Sequence, residues 1–243
     1  DQMRLKIYRK EHIIALSDCL PMLENLGLKV IEEFPYNLMG DQSGWIHDFL
    51  LKNPRGEALD FESLKSRVEE VLAAICAGRS DDDGFNALIL NSSLAASQVN
   101  VLRAYGRYLR QLGLPFSQEY VESCLVHHAD IAVKLFELFE ARFDPAGPAG
   151  QGNLKPAEKI CHEIEEMLEA VTSLDQDRIL RNYLNAIEVT LRTNFYQRDA
   201  QGQRLNYLAL KISSGQVNEM PKPAPHVEVF VYAPRVEGVH LRG

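Results

Sequence analysis

Four consecutive runs near the start decide how the fold is read: MRLKIY (3–8), ALSDCLPMLENLG (15–27), LKVIEEFPYNL (28–38) and GWIHDFLLKN (44–53). The first alternates apolar and basic residues with period two, as a half-buried strand does. In the second, Leu16, Cys19, Leu20, Leu23 and Leu26 fall at helical spacing. Pro21 is placed there as an early helix residue, and Gly27 as the residue that stops the helix. The third and fourth read as strands joined by the turn-forming MGDQSG (39–44). Strand, helix, strand, strand is the opening of a ferredoxin-like β-α-β-β-α-β unit. DFESLKSRVEEVLAAICAG (60–78) is amphipathic and supplies a second helix, with no clear fourth strand behind it.

Beyond this unit the pattern is helical. GFNALILNSSLAAS (84–97), SQVNVLRAYGRYLRQLG (97–113) and SQEYVESCLVHHADIAVKLFELFEARF (117–143) carry apolar residues at steps of three and four. The third reads as one helix, with Val121, Leu125, Ala132, Leu135 and Phe139 on one face. DPAGPAGQGN (144–153) is too poor in apolar residues to pack and reads as a flexible loop. Two further helices follow, 154–171 and 173–195. In the second, Ser173 and Gln176 are spaced for a capping box, and Leu180, Tyr183, Leu184, Ile187 and Leu191 form a stripe. RLNYLALKISS (204–214), HVEVFVYA (226–233) and GVHLR (238–242) then read as strands.

The chain has 243 residues, 46% of them hydrophobic, and a formal net charge of −8, which argues against a nucleic-acid partner. No run approaches the length of a membrane span. Cys19, Cys76, Cys124 and Cys161 are scattered in apolar or helical contexts, as expected of four buried thiols in a reducing cytoplasm. Both ends read as cut from a longer chain.

Spacing excludes several chemistries. His162, Glu163 and Glu166 lack the second histidine of a zinc-protease helix and read as a solvated acidic face. Asp81–Gly84 resembles a calcium loop, but its glycine comes too early and Ser92 stands where a glutamate should close it. A helix-start loop is the better reading. His127 and His128 diverge if they share a helix and cannot share a metal ion easily. Arg103, Arg107 and Arg110 form a basic stripe, read as an intramolecular or subunit contact. Gly147, Gly150 and Gly152 do not lie between a strand and a helix, so they make no dinucleotide turn.

One resemblance covers nearly the whole chain. LDQDRILRNYLNAIEVTLRTNFYQ (174–197), YLALKISS (207–214) and PHVEVFVYAPRVEGVHLRG (225–243) resemble the large-type bacterial NAD-specific glutamate dehydrogenases. RLKIYRK, LPMLENLGLKVIEEFPY and WIHDF resemble the last amino-terminal ACT-like module of that family. FNALILNSSLAASQVNVLRAYGRYLRQLG and LFEARFDP resemble its helical region. The implied fold is α+β and predominantly helical. It comprises an ACT-like module over 1–56 with a second helix at 60–78, a helical domain over 57–196, and the opening strands of a substrate domain over 197–243.

The resemblance further implies a parent reaction, oxidative deamination of L-glutamate to 2-oxoglutarate and ammonia with NAD. It places the catalytic and nucleotide-binding groups beyond residue 243. The implied catalytic, cofactor-binding and metal sets of this chain are therefore empty, and NAD belongs to the parent enzyme. Lys211, Arg235, His240 and Arg242 border the implied substrate domain but match no motif position, and read as strand-edge charges facing solvent. The loop RKEHII (9–14) lacks the glycine with which ACT modules commonly hold an amino acid, so packing is its expected role. The expected partners are the rest of the same polypeptide and other copies of it, in the cytoplasm, with no nucleic acid and no membrane. The alternative is a stand-alone ACT-like module that binds an amino acid or a partner protein. Residues 207–243 are expected to be less ordered than the helices.

Overall fold

The computed structural model describes residues 2–40, 43–54, 56 and 61–242, with backbone alone for 61–63. Strands β1 (Gln2–Lys10), β2 (Lys29–Leu38) and β3 (Gly44–Lys52) form a sheet in the order β1-β3-β2, antiparallel throughout, with helix α1 (Leu16–Asn25) between β1 and β2. This is the split β-α-β of a ferredoxin-like unit. Helix α2 (Phe61–Cys76) follows, and among the described residues the sheet gains no fourth strand. Met3, Leu5 and Ile7 alternate toward the core beside Phe49 and Leu51, as the period-two pattern requires. On the other face Tyr8, Phe34, Tyr36 and Leu38 stay exposed around Asp48, which Arg4 and Lys6 approach at 3.3 and 3.8 Å.

Two expectations for α1 resolve differently. Gly27 does stop the helix. At φ +84° it donates to Glu24 O at 2.8 Å, and Leu28 donates back to Leu23 O at 3.1 Å. Pro21, however, is the sixth of ten helical residues rather than an early one. It costs only the bond to the exposed Ser17 carbonyl, which water can satisfy.

The helical region contains α3 (Leu88–Asn91), α4 (Ala96–Gln111), α5 (Gln118–His127), α6 (Ala129–Phe143), α7 (Lys155–Leu168) and α8 (Leu174–Glu188). Helix α4 is buried on nearly every side, from Val99 through Leu102, Tyr105 and Tyr108 to Leu109. It is the central helix, with α5, α6 and α8 around it. The stretch 84–97 is not one helix. Ser92 Oγ donates to Leu88 O at 2.6 Å and accepts from Leu94 N at 3.1 Å, which ends α3 after one turn.

The expected single helix over 117–143 is likewise two, because His128 takes φ −105°, ψ 53° and breaks the ladder. All five residues of its predicted apolar face are buried nonetheless. Segment 144–153 winds into a short 3-10 turn, Pro148–Gln151. Half of the predicted capping box forms. Ser173 Oγ accepts from Gln176 N at 3.4 Å, while the Gln176 side chain pairs with His128 instead.

Helix α8 ends sooner than its stripe suggested. The run Val189-Thr190-Leu191 favours extended chain, and β4 (Thr190–Thr193) begins there, leaving Leu191 half exposed. Arg142 caps the end of the helix by donating to Glu188 O at 2.6 Å. Strands β4, β5 (Leu208–Ile212), β6 (Val227–Ala233) and β7 (Val236–Arg242) form an antiparallel meander in that order. In β5 and β6 every second residue is buried, and β6 lies on α4, with the Tyr108 and Phe230 rings 5.6 Å apart. One continuous hydrophobic core runs from Cys19 to Tyr232.

Candidate functional site

The loop Ser80-Asp81-Asp82-Asp83-Gly84 lies where the three regions of the chain meet, and each of its aspartates holds a different one. Asp83 caps the 3-10 turn Gly84–Ala87 by accepting from Phe85 N at 3.3 Å, so the helix-start reading holds. Its carboxylate also receives Arg103 of α4 through Nε at 3.0 Å and Nη2 at 2.9 Å. Arg103 is fully buried. Burial alone would lower its pKa, but the Asp83 charge and hydrogen bonds outweigh that and raise it. Its remaining donors meet Asn86 Oδ1 at 2.6 Å and Asn100 Oδ1.

Asp82 accepts from Asn25 at the end of α1 at 2.9 Å. Asp81 accepts from Tyr232 Oη of β6 at 2.9 Å and from Arg235 N, in the turn to β7, at 3.3 Å. Arg107 lies 3.4 Å from Asp83 and 3.7 Å from Asp81, bridging the two. A second tie runs from α4 to the same sheet. Tyr108 Oη donates to Glu228 Oε2 at 2.7 Å, both residues being buried. Glu122 of α5 closes the loop's other side, accepting from Gly84 N at 3.1 Å and from Gln118 at 2.6 Å. Burial raises the Glu122 carboxyl above its ordinary range.

Beside this hub opens a cleft of about 840 Å³ between α2, α4, β6 and the segment that joins β4 to β5. Ser80, Asn100 and Tyr232 line its hub side, and Arg79, Arg198 and Arg204 line its walls. Arg198 and Arg204 face one another across a short hairpin, where their backbones form an antiparallel bridge.

The residues singled out from sequence do not assemble into a reactive centre. His162 is exposed on α7, with Glu165 and Glu166 at 3.8 and 3.4 Å, while Glu163 turns to Lys134 and Lys159. The rings of His127 and His128 touch edge to face at 4.7 Å, because they do not share a helix, and His128 bonds Gln176 at 3.0 Å. Among the described residues no group of three His, Cys, Asp or Glu could hold a metal ion. The basic stripe is intramolecular: Arg103 and Arg107 serve the hub, and Arg107 and Arg110 both reach Gln118.

Only two of the four thiols are buried. Cys76 is exposed at the end of α2, and Cys161 is half-buried on α7. Burial, first among the causes, pushes Cys19 up to about 11 and Cys124 up to about 12, so neither is a nucleophile at neutral pH. Lys211 is half-buried in β5, and Arg235 is engaged with Asp81 through its backbone. His240 and Arg242 are exposed on the edge strand β7.

The glycine-rich segment does not form a strand-to-helix dinucleotide turn. Gly147, Gly150 and Gly152 lie between two helices, and a Cβ on Gly150 would collide with the Pro145 carbonyl, so this glycine serves the tight turn itself. The β1–α1 loop, where an ACT module holds an amino acid, is also occupied from within. Ile14 N donates to His47 Nε2 at 3.2 Å, and His47 Nδ1 contacts Glu33 at 2.9 Å.

Sequence reading missed the hub because its partners lie from 20 to 154 positions apart. It also missed the hairpin, although RDAQGQR (198–204) carries a visible signal: an aspartate and a glycine at turn spacing between two arginines.

Three family profiles match along the chain. They are described as the ACT3 domain of glutamate dehydrogenase (residues 1–64), helical motif 3 of glutamate dehydrogenase (80–145), and the catalytic domain of bacterial NAD-glutamate dehydrogenase (163–243). NAD-specific glutamate dehydrogenase from Halomonas elongata is 44% identical over 242 residues, 99% of this chain. The proteins of the same name from Pseudomonas aeruginosa and Mycobacterium tuberculosis are 44% and 39% identical, over 100% and 94% of the chain. The chain spans only about 15% of the length of these relatives.

Proposed function

We propose that this chain, whose sequence is that of a segment of the bacterial NAD-specific glutamate dehydrogenases, works as a non-catalytic brace within such an enzyme. The whole protein would oxidise L-glutamate to 2-oxoglutarate and ammonia with NAD, using reacting groups that lie outside these residues. We divide the segment into an ACT-like module over 1–56, a helical domain over 57–196 and the opening strands of a substrate domain over 197–243.

The observation that carries this reading is the aspartate hub. Asp82, Asp83 and Asp81 tie together α1, α4 and β6, one from each of the three matched regions. A brace must hold its parts at fixed distances, and buried charge-assisted hydrogen bonds do so with more geometric demand than apolar contact alone. The open sheet face of Tyr8, Phe34, Tyr36 and Leu38 supports contact with the rest of the polypeptide or with another copy. The alternative of an amino-acid-binding module is disfavoured, because the β1–α1 loop lacks a glycine and its Ile14 amide is already bonded to His47.

The test is glutamate-dependent NADH formation by the purified chain. None above a vector control is expected. Turnover that survives repurification would overturn the reading.

A further inference from the structure

We propose that the cleft behind the 198–204 hairpin binds a small multivalent anion carrying at least two phosphate or carboxylate groups. The argument starts from the hairpin. Asp199 Oδ1 accepts from Gln201 N at 2.9 Å and Gln203 N at 2.8 Å, Gly202 takes φ +77°, and Asp199 N donates to Gln203 O at 2.9 Å. These bonds fix a tight turn and place Arg198 directly opposite Arg204. Like charges directly opposite one another destabilise a strand pair. A chain of net charge −8 with 34 acidic residues has ample carboxylates to relieve such a pair. It does not use them: among the described residues no carboxylate lies within ion-pair distance of Arg198, Arg204 or Arg79.

The two carboxylates of the cleft form no ion pair with these arginines: Asp199 spends one oxygen on its own turn, and Glu70 acts on Arg204 only through its charge at longer range. Arg204 is also held in place. Its guanidinium lies 4.3 Å over the Phe195 ring and donates to Phe195 O at 3.1 Å. Burial, and then the Arg198 charge, lower its pKa, outweighing the opposing effects of Tyr196 and Glu70. Arg79 stands on another wall of the same cleft. Guanidinium groups approaching from two sides suit a ligand with two separated anionic groups, each able to take paired N–H donors. The inference does not depend on the dehydrogenase reading.

Titration calorimetry on the purified chain tests it, with inorganic pyrophosphate as one probe and propane-1,2,3-tricarboxylate as the other. One-site saturable binding of at least one probe is expected, and which one binds identifies the chemistry. Arg198→Gln and Arg204→Gln should each weaken that binding at least tenfold, and Arg9→Gln, on β1, should leave it unchanged. Arg198→Gln should also leave the thermal midpoint of the free chain unchanged or raise it, because it removes a repulsion. A merely structural Arg198 would do the reverse, lowering the midpoint while leaving affinity intact. That result overturns the proposal, as does the absence of saturable binding by both probes.

Discussion

Arg103 and Asp83 show at the residue scale why an ionic contact can be indispensable without being a large net gain. Both are buried, at 0% and 9% exposure. Desolvating two charges costs several kcal/mol, which their attraction and shared hydrogen bonds largely offset. Removing one partner leaves the cost without the offset. Arg103→Ala should therefore destabilise the chain by about 3–5 kcal/mol in urea unfolding. A loss under about 1 kcal/mol, the size of an exposed pair, would contradict the hub.

Glu122 makes a pH prediction with a definite sign. Burial raises its carboxyl, helped by the Asp83 charge and opposed by Gln118, the Gly84 amide and Arg103. The folded state then holds this proton more tightly than the unfolded chain does. Stability contributed at Glu122 falls as pH rises from about 4.3, the ordinary glutamate value, through the folded value. Wild-type stability minus that of Glu122→Gln should decline over that range. A flat or rising difference would refute the assignment.

At the scale of elements, the edge strand β7 should exchange its amides faster than β5 and β6. Only Val239 of β7 is better than exposed, whereas β5 and β6 bury Leu210, Ile212 and Phe230 completely. Hydrogen exchange reads this directly, and equal protection across all three strands would count against it. The order of elements was legible from the sequence because apolar periodicity is local. The alternation of 3–8, the helix of 16–25 and the final strands needed no distant information. Breaks were less legible, since each is decided by one residue's partners. The break at 128 goes with His128 reaching Gln176, 48 positions away, and the end of α8, which the run Val189-Thr190-Leu191 already favoured, is capped by the distant Arg142. The acidic loop at 81–83 was legible as a helix start, but its bonds to α1, α4 and β6 were not. Nothing local distinguishes a capping aspartate from one that also grips a buried arginine. The wide scatter of cysteines suggested four buried thiols, yet Cys76 fell on the outer side of the last turn of α2.

At the scale of the whole molecule, the ACT-like sheet, the helices and the C-terminal sheet are expected to behave as one rigid brace. The continuous core and the hub both support it. Leu23, Leu26 and Leu28 share that core with Phe85 and Leu88, and Asp82 bonds Asn25. The chain has one tryptophan, Trp45, placed in β3 of the ACT-like sheet, while far-UV circular dichroism is dominated by the helices. The most direct test is therefore a single urea titration of the purified chain, followed by Trp45 fluorescence and by circular dichroism at 222 nm. Coincident transitions with one midpoint are expected of a cooperative unit. Loss of the Trp45 signal well before the helical signal would mean that the ACT-like sheet unfolds on its own, and that the brace does not exist.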